Sequence, residues 1–219
     1  CLEQMLMQVS LISYSQGQSG DLQDLIAFAA RVSNPSNQNN KQTSDKLLKY
    51  LIKHKHWSPF EMVSACLEIE TTRDIARQIL RHRSFSFQEF SQRYADPTSD
   101  LDFSLREARL QDKKNRQNSI ETDDKKLQSD WDTLQQMVIE DAKAAYQWAI
   151  SKGIAKEQAR AVLPEGLTMS RMYMNGTLRS WIHYIELRTA NGTQKEHMEV
   201  AEACATEIAK IFPMLADIK

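Results

Sequence analysis

Glycine is scarce in this 219-residue chain, which holds only 6 glycines. No three of them form G-x-G-x-x-G, and no G-x-x-x-x-G-K-[ST] occurs. The chain therefore lacks both of the common glycine-rich loops that bind nucleotide phosphates. If it binds a nucleotide, side chains must hold the phosphates.

Cysteine and long apolar runs are also in short supply. The 3 cysteines are Cys1, Cys66 and Cys204, and none forms a C-x-x-C pair. An odd number of cysteines gives no disulfide framework, which indicates a reducing, cytoplasmic environment. No apolar stretch approaches the roughly 20 residues that a transmembrane helix requires, so we expect no membrane partner.

The charges nearly cancel, with 28 Lys and Arg against 29 Asp and Glu and a formal net charge of −1. This balance argues against a nucleic acid polymer as the partner, because such proteins usually carry a strong positive field. Glu196 and His197 have no metal-ligand partner at helical spacing, so we predict no metal site. The length suits one domain, which we place at residues 1–219.

Apolar periodicity predicts many helices and about three strands. Regular β-α-β alternation is absent, which favours the α+β class. Residues 95–124 are polar and have few apolar anchors, so we expect a surface excursion there. The strands are predicted at residues 6–14, 63–69 and 168–174, and the later helices at residues 74–83, 125–152, 155–163, 177–188 and 193–212.

The segment from Arg73 to Tyr94 is the most unusual part of the chain. Arg73 and Arg77 are spaced as one helix stripe, and we interpret them as a solvated charged face. Arg81-His82-Arg83 instead runs into a loop rich in aromatic and hydroxyl side chains. Guanidinium groups bind phosphate through two hydrogen bonds at once, and Ser and Gln add neutral donors and acceptors. Residue chemistry thus favours an anion or nucleotide site over a structural role.

Two other functions are compatible with this segment. An RNA-binding or nucleotide-binding module would use Phe85, Phe87 and Phe90 as stacking platforms. A helical interaction protein would present the basic face to an acidic partner. Composition alone leaves these alternatives open, and the order of the residues discriminates between them.

That order, R-H-R-x7-S-x-R from Arg81 to Arg93, resembles the signature of the flavin-dependent thymidylate synthases. One departure is Gln88, where many members have Asn, and the longer amide keeps the same donor and acceptor. The resemblance covers most of the chain, except the N-terminus and residues 95–124. Further segments that match in order and spacing are Arg31-Val32-Ser33, His56 to Glu61, Ala159 to Pro164 and Leu187-Arg188.

The resemblance implies both a fold and a reaction. The fold would be a helix-rich α+β domain with a small, mostly antiparallel sheet. The reaction would be the reductive methylation of dUMP to dTMP, with methylenetetrahydrofolate as the one-carbon donor and FAD reduced by NAD(P)H, NADPH being the expected reductant. The protein would be a homotetramer with sites shared between subunits.

The resemblance also assigns residues, of which Arg188 would be catalytic. The positions that match dUMP ligands are Gln78, Arg81, Glu89, Phe90, Ser91, Gln92, Arg93, Arg160 and Arg188. The positions that match FAD ligands are Ser33, His56, Ser58, Glu61, Arg81, His82, Arg83, Ser84, Glu89, Thr177, Leu178, Arg179 and His183.

For the other reactive side chains we predict structural or binding roles rather than catalytic ones. Cys66 is expected to be a small buried residue of a predicted strand, and Cys204 lies in a predicted helix with little nearby positive charge that would activate a thiolate. The flavin route needs no thiolate. Ser91 is assigned to substrate binding rather than nucleophilic attack, because no base lies beside it in the sequence. His183 could equally be a partly buried helix residue. The tryptophans are expected in the core, at positions 57, 131, 148 and 181.

Overall fold

The computed structural model describes residues 7–18 and 20–218. A four-stranded sheet has the order β1-β2-β6-β3, and every neighbouring pair is antiparallel. A separate antiparallel hairpin is formed by β4 and β5. These pairings confirm the predicted fold class. The strands are β1 (Gln8–Tyr14), β2 (Ser64–Thr72), β3 (Ser86–Glu89), β4 (Arg109–Gln111), β5 (Ser119–Glu121) and β6 (Met169–Thr177).

The helices agree with the apolar periodicity. The first is closed by a capping box, in which the Asp21 carboxylate accepts from the Asp24 N–H and the Asp24 carboxylate accepts from the Asp21 N–H. The longest ends just before Gly153, whose φ of +78° favours glycine. The helices are α1 (Leu22–Ala30), α2 (Ser44–Lys53), α3 (Arg73–Ile79), α4 (Pro97–Asp100), α5 (Lys125–Ser151), α6 (Lys156–Ala159), α7 (Leu178–Arg188) and α8 (Lys195–Ala209).

The main apolar core lies between one face of the sheet and helices α1, α2, α3, α7 and α8. Strand β2 alternates as predicted, with Ala65, Leu67 and Ile69 buried, and each large apolar side chain contributes roughly 1.5–3 kcal/mol by burial. A smaller cluster joins α5 to α6 through Tyr146, Ala149 and their neighbours. The single domain over residues 1–219 stays a prediction.

Three predictions from local pattern were incomplete or wrong. The predicted strand starting at Leu6 begins at Gln8, and residues 1–6 lie outside the described residues. Helix α3 ends at Ile79, four residues before the predicted end, and strand β3 was missed. The excursion at residues 95–124 contains α4 and the β4–β5 hairpin. Arg109 anchors that hairpin to Glu196 at 2.7 Å, a long-range ion pair that local pattern could not reveal.

The tryptophan prediction holds for two positions and fails for two. Trp181 is fully buried, and its Nε1 donates to the Ala65 carbonyl at 3.0 Å. Trp57 is half-buried against the core. Trp131 and Trp148 on α5 are 41% and 60% exposed. Within residues 7–18 and 20–218, no helix has the length and apolar character to cross a membrane.

Candidate active site

The signature begins in the loop that leads from α3 to β3. Arg81, Arg83 and Ser84 are exposed there. Among the described residues, neither arginine forms an ion pair or a side-chain hydrogen bond, so both guanidinium groups can bind an anion. Phe85 closes the loop and is buried against Trp181, with ring centroids 4.8 Å apart. The stacking role that the RNA-binding alternative needs from Phe85 is therefore excluded.

Phe85 can approach the sheet so closely because Gly176 of β6 has no side chain. A Cβ atom at this position would overlap with the Phe85 ring. Glycine thus determines where the loop meets the sheet.

His82, between the two exposed arginines, binds the predicted catalytic residue. The Arg188 Nε–H donates to His82 Nε2 at 2.9 Å. Burial first, and then the charges of Arg188 and Arg81, lower the pKa of His82. The neutral ring accepts through Nε2 and keeps its proton on Nδ1. This bond joins the signature to the end of α7, although the two residues are 106 positions apart in the sequence. Among the described residues, the Arg188 guanidinium has no other hydrogen-bond partner.

Glu89 at the end of β3 is the anionic centre of the segment. Its carboxylate accepts from the Ser170 hydroxyl at 2.8 Å and lies 3.8 Å from Arg73 and 3.9 Å from Arg77. Arg73 also pairs with Glu165 at 3.0 Å and is only 6% exposed. The prediction that Arg73 belongs to a solvated face is therefore wrong. The sheet brings β6 and Glu165 over this side of α3, which helical spacing alone does not reveal.

The end of the signature lies beside α6. The Arg93 guanidinium pairs with Glu157 at 3.2 Å, three residues before Arg160 in the sequence. Ser91 accepts the backbone N–H of Arg93 at 3.3 Å. Gln92 is buried, and its Nε2 has no hydrogen-bond partner among the described residues. An unpaired buried amide costs about 1–3 kcal/mol, so this segment contains one hydrogen-bond donor more than the fold uses.

Two segments that contain predicted FAD ligands, residues 56–61 and residues 177–183, lie next to each other in the structure. Glu61 pairs with Arg179 at 3.2 Å, and the rings of Trp57 and His183 meet edge to face at 4.9 Å. Thr177 caps α7 by accepting from the Ser180 N–H at 3.2 Å. His56, Ser58 and Ser33 are exposed beyond these contacts. His183 thus has an aromatic partner, and both interpretations of it stay predictions.

Gln78 is held by residues that sequence reasoning did not assign to the site. Its Oε1 lies 3.1 Å from His197 Nδ1, and its Nε2 donates to Gln194 Oε1 at 2.8 Å. His197 Nε2 lies 3.0 Å from the Tyr184 hydroxyl. The available signal was weak, since His197 is simply a polar residue on the apolar face of α8, with Val200, Ala201 and Cys204.

The comparisons with known proteins identify the family. Residues 10–214 match the family described as "Thymidylate synthase complementing protein". A probable flavin-dependent thymidylate synthase of Paramecium bursaria Chlorella virus 1 is 53% identical over 89% of this chain and 88% of its own length. A flavin-dependent thymidylate synthase of Synechocystis sp. is 50% identical over 88% of this chain and 86% of its own length.

The chain belongs to the flavin-dependent thymidylate synthase family. This confirms the family and the enzyme class predicted from the signature. The solved structure of a UMP/dUMP methylase, PolB from Streptomyces cacaoi bound with 5-Br dUMP, has a TM-score of 0.78 and 28% identity. The alignment covers 97% of this chain and 93% of that one, so the whole fold is shared.

The thiols of Cys66 and Cys204 are unsuited to nucleophilic attack. Cys66 is half-buried in β2 and Cys204 is fully buried in α8. Burial raises the pKa of both thiols. Because the thiolate is the reactive form, neither cysteine is activated at neutral pH. The expectation for these two residues is confirmed.

Proposed function

We propose that this chain catalyses the reductive methylation of dUMP to dTMP. Methylenetetrahydrofolate supplies the one-carbon unit, and NAD(P)H, with NADPH as the predicted reductant, reduces the bound FAD. The names of the relatives at 53% and 50% identity support a flavin-dependent thymidylate synthase activity. The structural similarity to a UMP/dUMP methylase bound with 5-Br dUMP supports a uridylate substrate.

The contact between Arg188 and His82 is the observation that carries this proposal. One hydrogen bond from Arg188 Nε to His82 fixes the guanidinium, and its terminal N–H groups stay available to a substrate. A positive charge held against a pyrimidine stabilises negative charge that develops on the ring. Arg188 cannot act as a base at ordinary pH, so its role is electrostatic.

The dUMP ligands are proposed from the same arrangement. Ser91, Gln92 and Arg93 lie at the end of the signature, next to the helix that precedes Arg160. Among the described residues, the Arg160 side chain forms no hydrogen bond, and its guanidinium suits a nucleotide phosphate. The other proposed ligands are Gln78, Arg81, Glu89, Phe90 and Arg188.

The side chains present also suit FAD. Arg81 and Arg83 are exposed cations without an acidic partner in the described part of the chain, and Ser33, Ser58 and Ser84 add exposed hydroxyls. This donor set suits a diphosphate without a glycine-rich loop. FAD, when bound, supplies the hydride. The remaining proposed FAD ligands are His56, Glu61, His82, Glu89, Thr177, Leu178, Arg179 and His183.

We further propose a homotetramer whose sites are shared between subunits. The proposed FAD ligands of one chain are mostly exposed, which leaves room for groups from a second chain. Helix α5 also presents exposed apolar side chains, including Trp131, Leu134 and Val138, and such a stripe suits burial against another subunit. Light scattering after size exclusion tests this with a mass near four times the 25.2 kDa of one chain. A cytoplasmic location stays a prediction from the cysteine content.

The decisive experiment measures cofactor and product together. The purified protein should take up FAD and show an oxidised flavin spectrum that bleaches with NADPH. With dUMP and methylenetetrahydrofolate added, it should form dTMP, detected by chromatography, and Arg188→Ala should form it with a turnover about 10²–10³-fold lower. A colourless protein that ignores FAD and binds RNA with a steep dependence on salt would overturn the proposal.

A further inference from the structure

A chain of hydrogen bonds runs from the core to the side chain of Gln78. It starts at the Tyr184 hydroxyl, 3.0 Å from His197 Nε2, and continues from His197 Nδ1 to Gln78 Oε1 at 3.1 Å. Gln78 Nε2 then reaches Gln194 Oε1 at 2.8 Å. Tyr184 and His197 are buried to 1% and 0% exposure, so water does not compete for the bond between them, whereas Gln78 and Gln194 are half-buried.

Chemistry allows only one direction for these bonds. The carbonyl oxygen of Gln78 can only accept, so His197 Nδ1 must carry a hydrogen. Burial lowers the pKa of His197 to about 3, so the ring is neutral and Nε2 is left as an acceptor. The Tyr184 hydroxyl must therefore donate, and burial, which raises its pKa well above the usual range, keeps it protonated.

The oxygen and the nitrogen of the Gln78 amide therefore have different partners, since the oxygen accepts from His197 and the nitrogen donates to Gln194. An amide can flip, and its oxygen and nitrogen then exchange places. A flipped Gln78 would direct N–H groups at the N–H of His197 and its oxygen at the oxygen of Gln194. The contact with Gln194 would become repulsive, because Gln194 Nε2 donates to the Glu196 carboxylate and its oxygen therefore stays toward Gln78. The contact with His197 would survive only if the ring proton moved to Nε2 and the Tyr184 hydroxyl turned to accept it. We propose that His197 and Gln194 are positioning residues that hold the Gln78 amide in one orientation for recognition of the substrate.

The orientation is secured from a second direction by α8 and the β4–β5 hairpin. Gln194 Nε2 donates to Glu196 Oε2 at 3.0 Å, which fixes Gln194 as an acceptor toward Gln78. The other oxygen of Glu196 pairs with Arg109 at 2.7 Å. The excursion, which lies outside the family signature, thus reaches Gln78 through two side chains. One lone pair and one amide hydrogen of Gln78 remain for a ligand.

This inference rests on the proposed function, because it takes Gln78 as a dUMP ligand. Two variants of His197 test it as a matched pair. The amide nitrogen of Asn can occupy the place of His Nδ1, so His197→Asn keeps the donor to Gln78 and loses the acceptor for Tyr184. The amide of Gln reaches the place of Nε2, so His197→Gln keeps the acceptor and loses the donor.

Titration calorimetry with the FAD-loaded enzyme would give the dissociation constant of dUMP for each variant. His197→Gln should weaken dUMP binding about fivefold, the effect of one neutral hydrogen bond, whereas His197→Asn should stay within about twofold of the parent. A merely structural role predicts the reverse order or equal losses, because His197→Asn leaves the buried Tyr184 hydroxyl unpaired. Equal losses, or losses that follow the melting temperature, overturn the proposal.

Gln194→Ala gives an independent result should both His197 variants fail to fold, since Gln194 is only half-buried. It should weaken dUMP binding by a similar factor while FAD binding stays unchanged. The control is Gln23→Met, which breaks bonds of a buried glutamine to Asp45 and to the Met214 N–H, away from this chain of hydrogen bonds. It should lower the melting temperature and leave dUMP binding unchanged. Unchanged dUMP affinity in Gln194→Ala contradicts the proposal.

Failure of the proposed function gives a different pattern. If the parent enzyme does not bind dUMP, the proposed function and this inference are both wrong. If the parent binds dUMP and forms dTMP, but Gln78→Ala binds dUMP equally well, only the assignment of Gln78 and its positioning residues is wrong.

Discussion

Arg73 and Arg81 lie eight residues apart on either side of the end of α3, and the fold treats them in opposite ways. Arg73 is buried and pairs with Glu165 and Glu89. Arg81 is exposed, without an ion pair among the described residues. A paired buried cation has no charge left for a ligand, whereas an exposed unpaired one does. Their partners, more than their spacing in the sequence, therefore distinguish the buried Arg73 from the proposed ligand Arg81.

His82 and Arg188 extend the comparison into the interior. Arg188 has one hydrogen bond to a neutral acceptor and no carboxylate partner in the described part of the chain, so its full charge is available. By contrast, Arg106 pairs with Asp74 at 3.0 Å and donates to the Gly166 carbonyl at 3.0 Å. Of the proposed ligand arginines, Arg81, Arg83 and Arg188 thus have no acidic partner among the described residues, whereas Arg93 and Arg179 pair with Glu157 and Glu61.

The largest effect is expected at Arg188, which is proposed to place its unpaired charge against the substrate. Arg188→Ala should retain the fold and FAD binding and lower the turnover for dTMP by about 10²–10³-fold, the usual loss for one electrostatic stabiliser. Steady-state kinetics and circular dichroism measure the two properties. Near-normal turnover would refute the electrostatic role.

Arg73→Met tests the arginine that is buried and paired with two glutamates. Breaking a buried ion pair costs up to about 3–5 kcal/mol, but Glu165 is half exposed, so we expect a loss of about 2 kcal/mol in the free energy of unfolding. Urea unfolding without ligands measures this value. Arg77→Ala is the matched control, since the Arg77 side chain is half exposed with pairs to the same two carboxylates, and it should cost less than about 1 kcal/mol. Equal losses would remove the distinction.

Arg81→Ala should have the opposite effect to Arg73→Met, with ligand binding weakened and stability preserved. Because Arg81 supports no ion pair among the described residues, the melting temperature should hardly change. Loss of charged hydrogen bonds should weaken both FAD and dUMP by roughly tenfold or more. Fluorescence titration of FAD and calorimetry with dUMP give the two affinities. If both affinities are preserved, the ligand assignment at the signature is wrong.

The last prediction concerns pH and two histidines of the interior, His197, which is fully buried, and His82, which is half-buried. The pKa values of His82 and His197 are lowered, so the unfolded chain binds protons below about pH 6.5 that the folded chain does not. Their contribution to stability is present above pH 6.5 and is lost as the pH falls, at up to about 1.4 kcal/mol per pH unit for each histidine. Urea unfolding from pH 7.5 to 5.5 measures the slope, which His197→Asn should reduce. An unchanged slope would contradict the assignment.

Much of the fold could be predicted from the sequence, because the local pattern of apolar residues and caps determines the individual helices and strands. Alternation at Ala65, Leu67 and Ile69 predicted β2, and the cap at Thr177 predicted the start of α7. The end of α3 was not predictable in this way, because Arg81 and His82 suit a helix end as well as a loop. The Phe85 ring and the pairing of β3 with β6 determine the loop there.

The signature predicts the candidate site, but the sequence does not indicate the residues that support it. The order of Arg81, His82 and Arg93 along the chain is enough to indicate a nucleotide site. Tyr184 and His197 carry no such signal, since their role depends on α7 packing against α8. The burial of Arg73 likewise depends on Glu165, 92 residues away. Long-range partners were invisible to spacing arguments.

The absent side chain at Gly176 has a genetic consequence. Even a methyl group there would displace the Phe85 ring, and that ring anchors the loop carrying Arg81 to Ser84. The sheet, paired along all of β2 and β6, would survive the displacement better than the loop. Mutations at this codon should therefore give alleles whose product is made and folded yet fails to complement a thymidine requirement, and whose defect worsens with temperature.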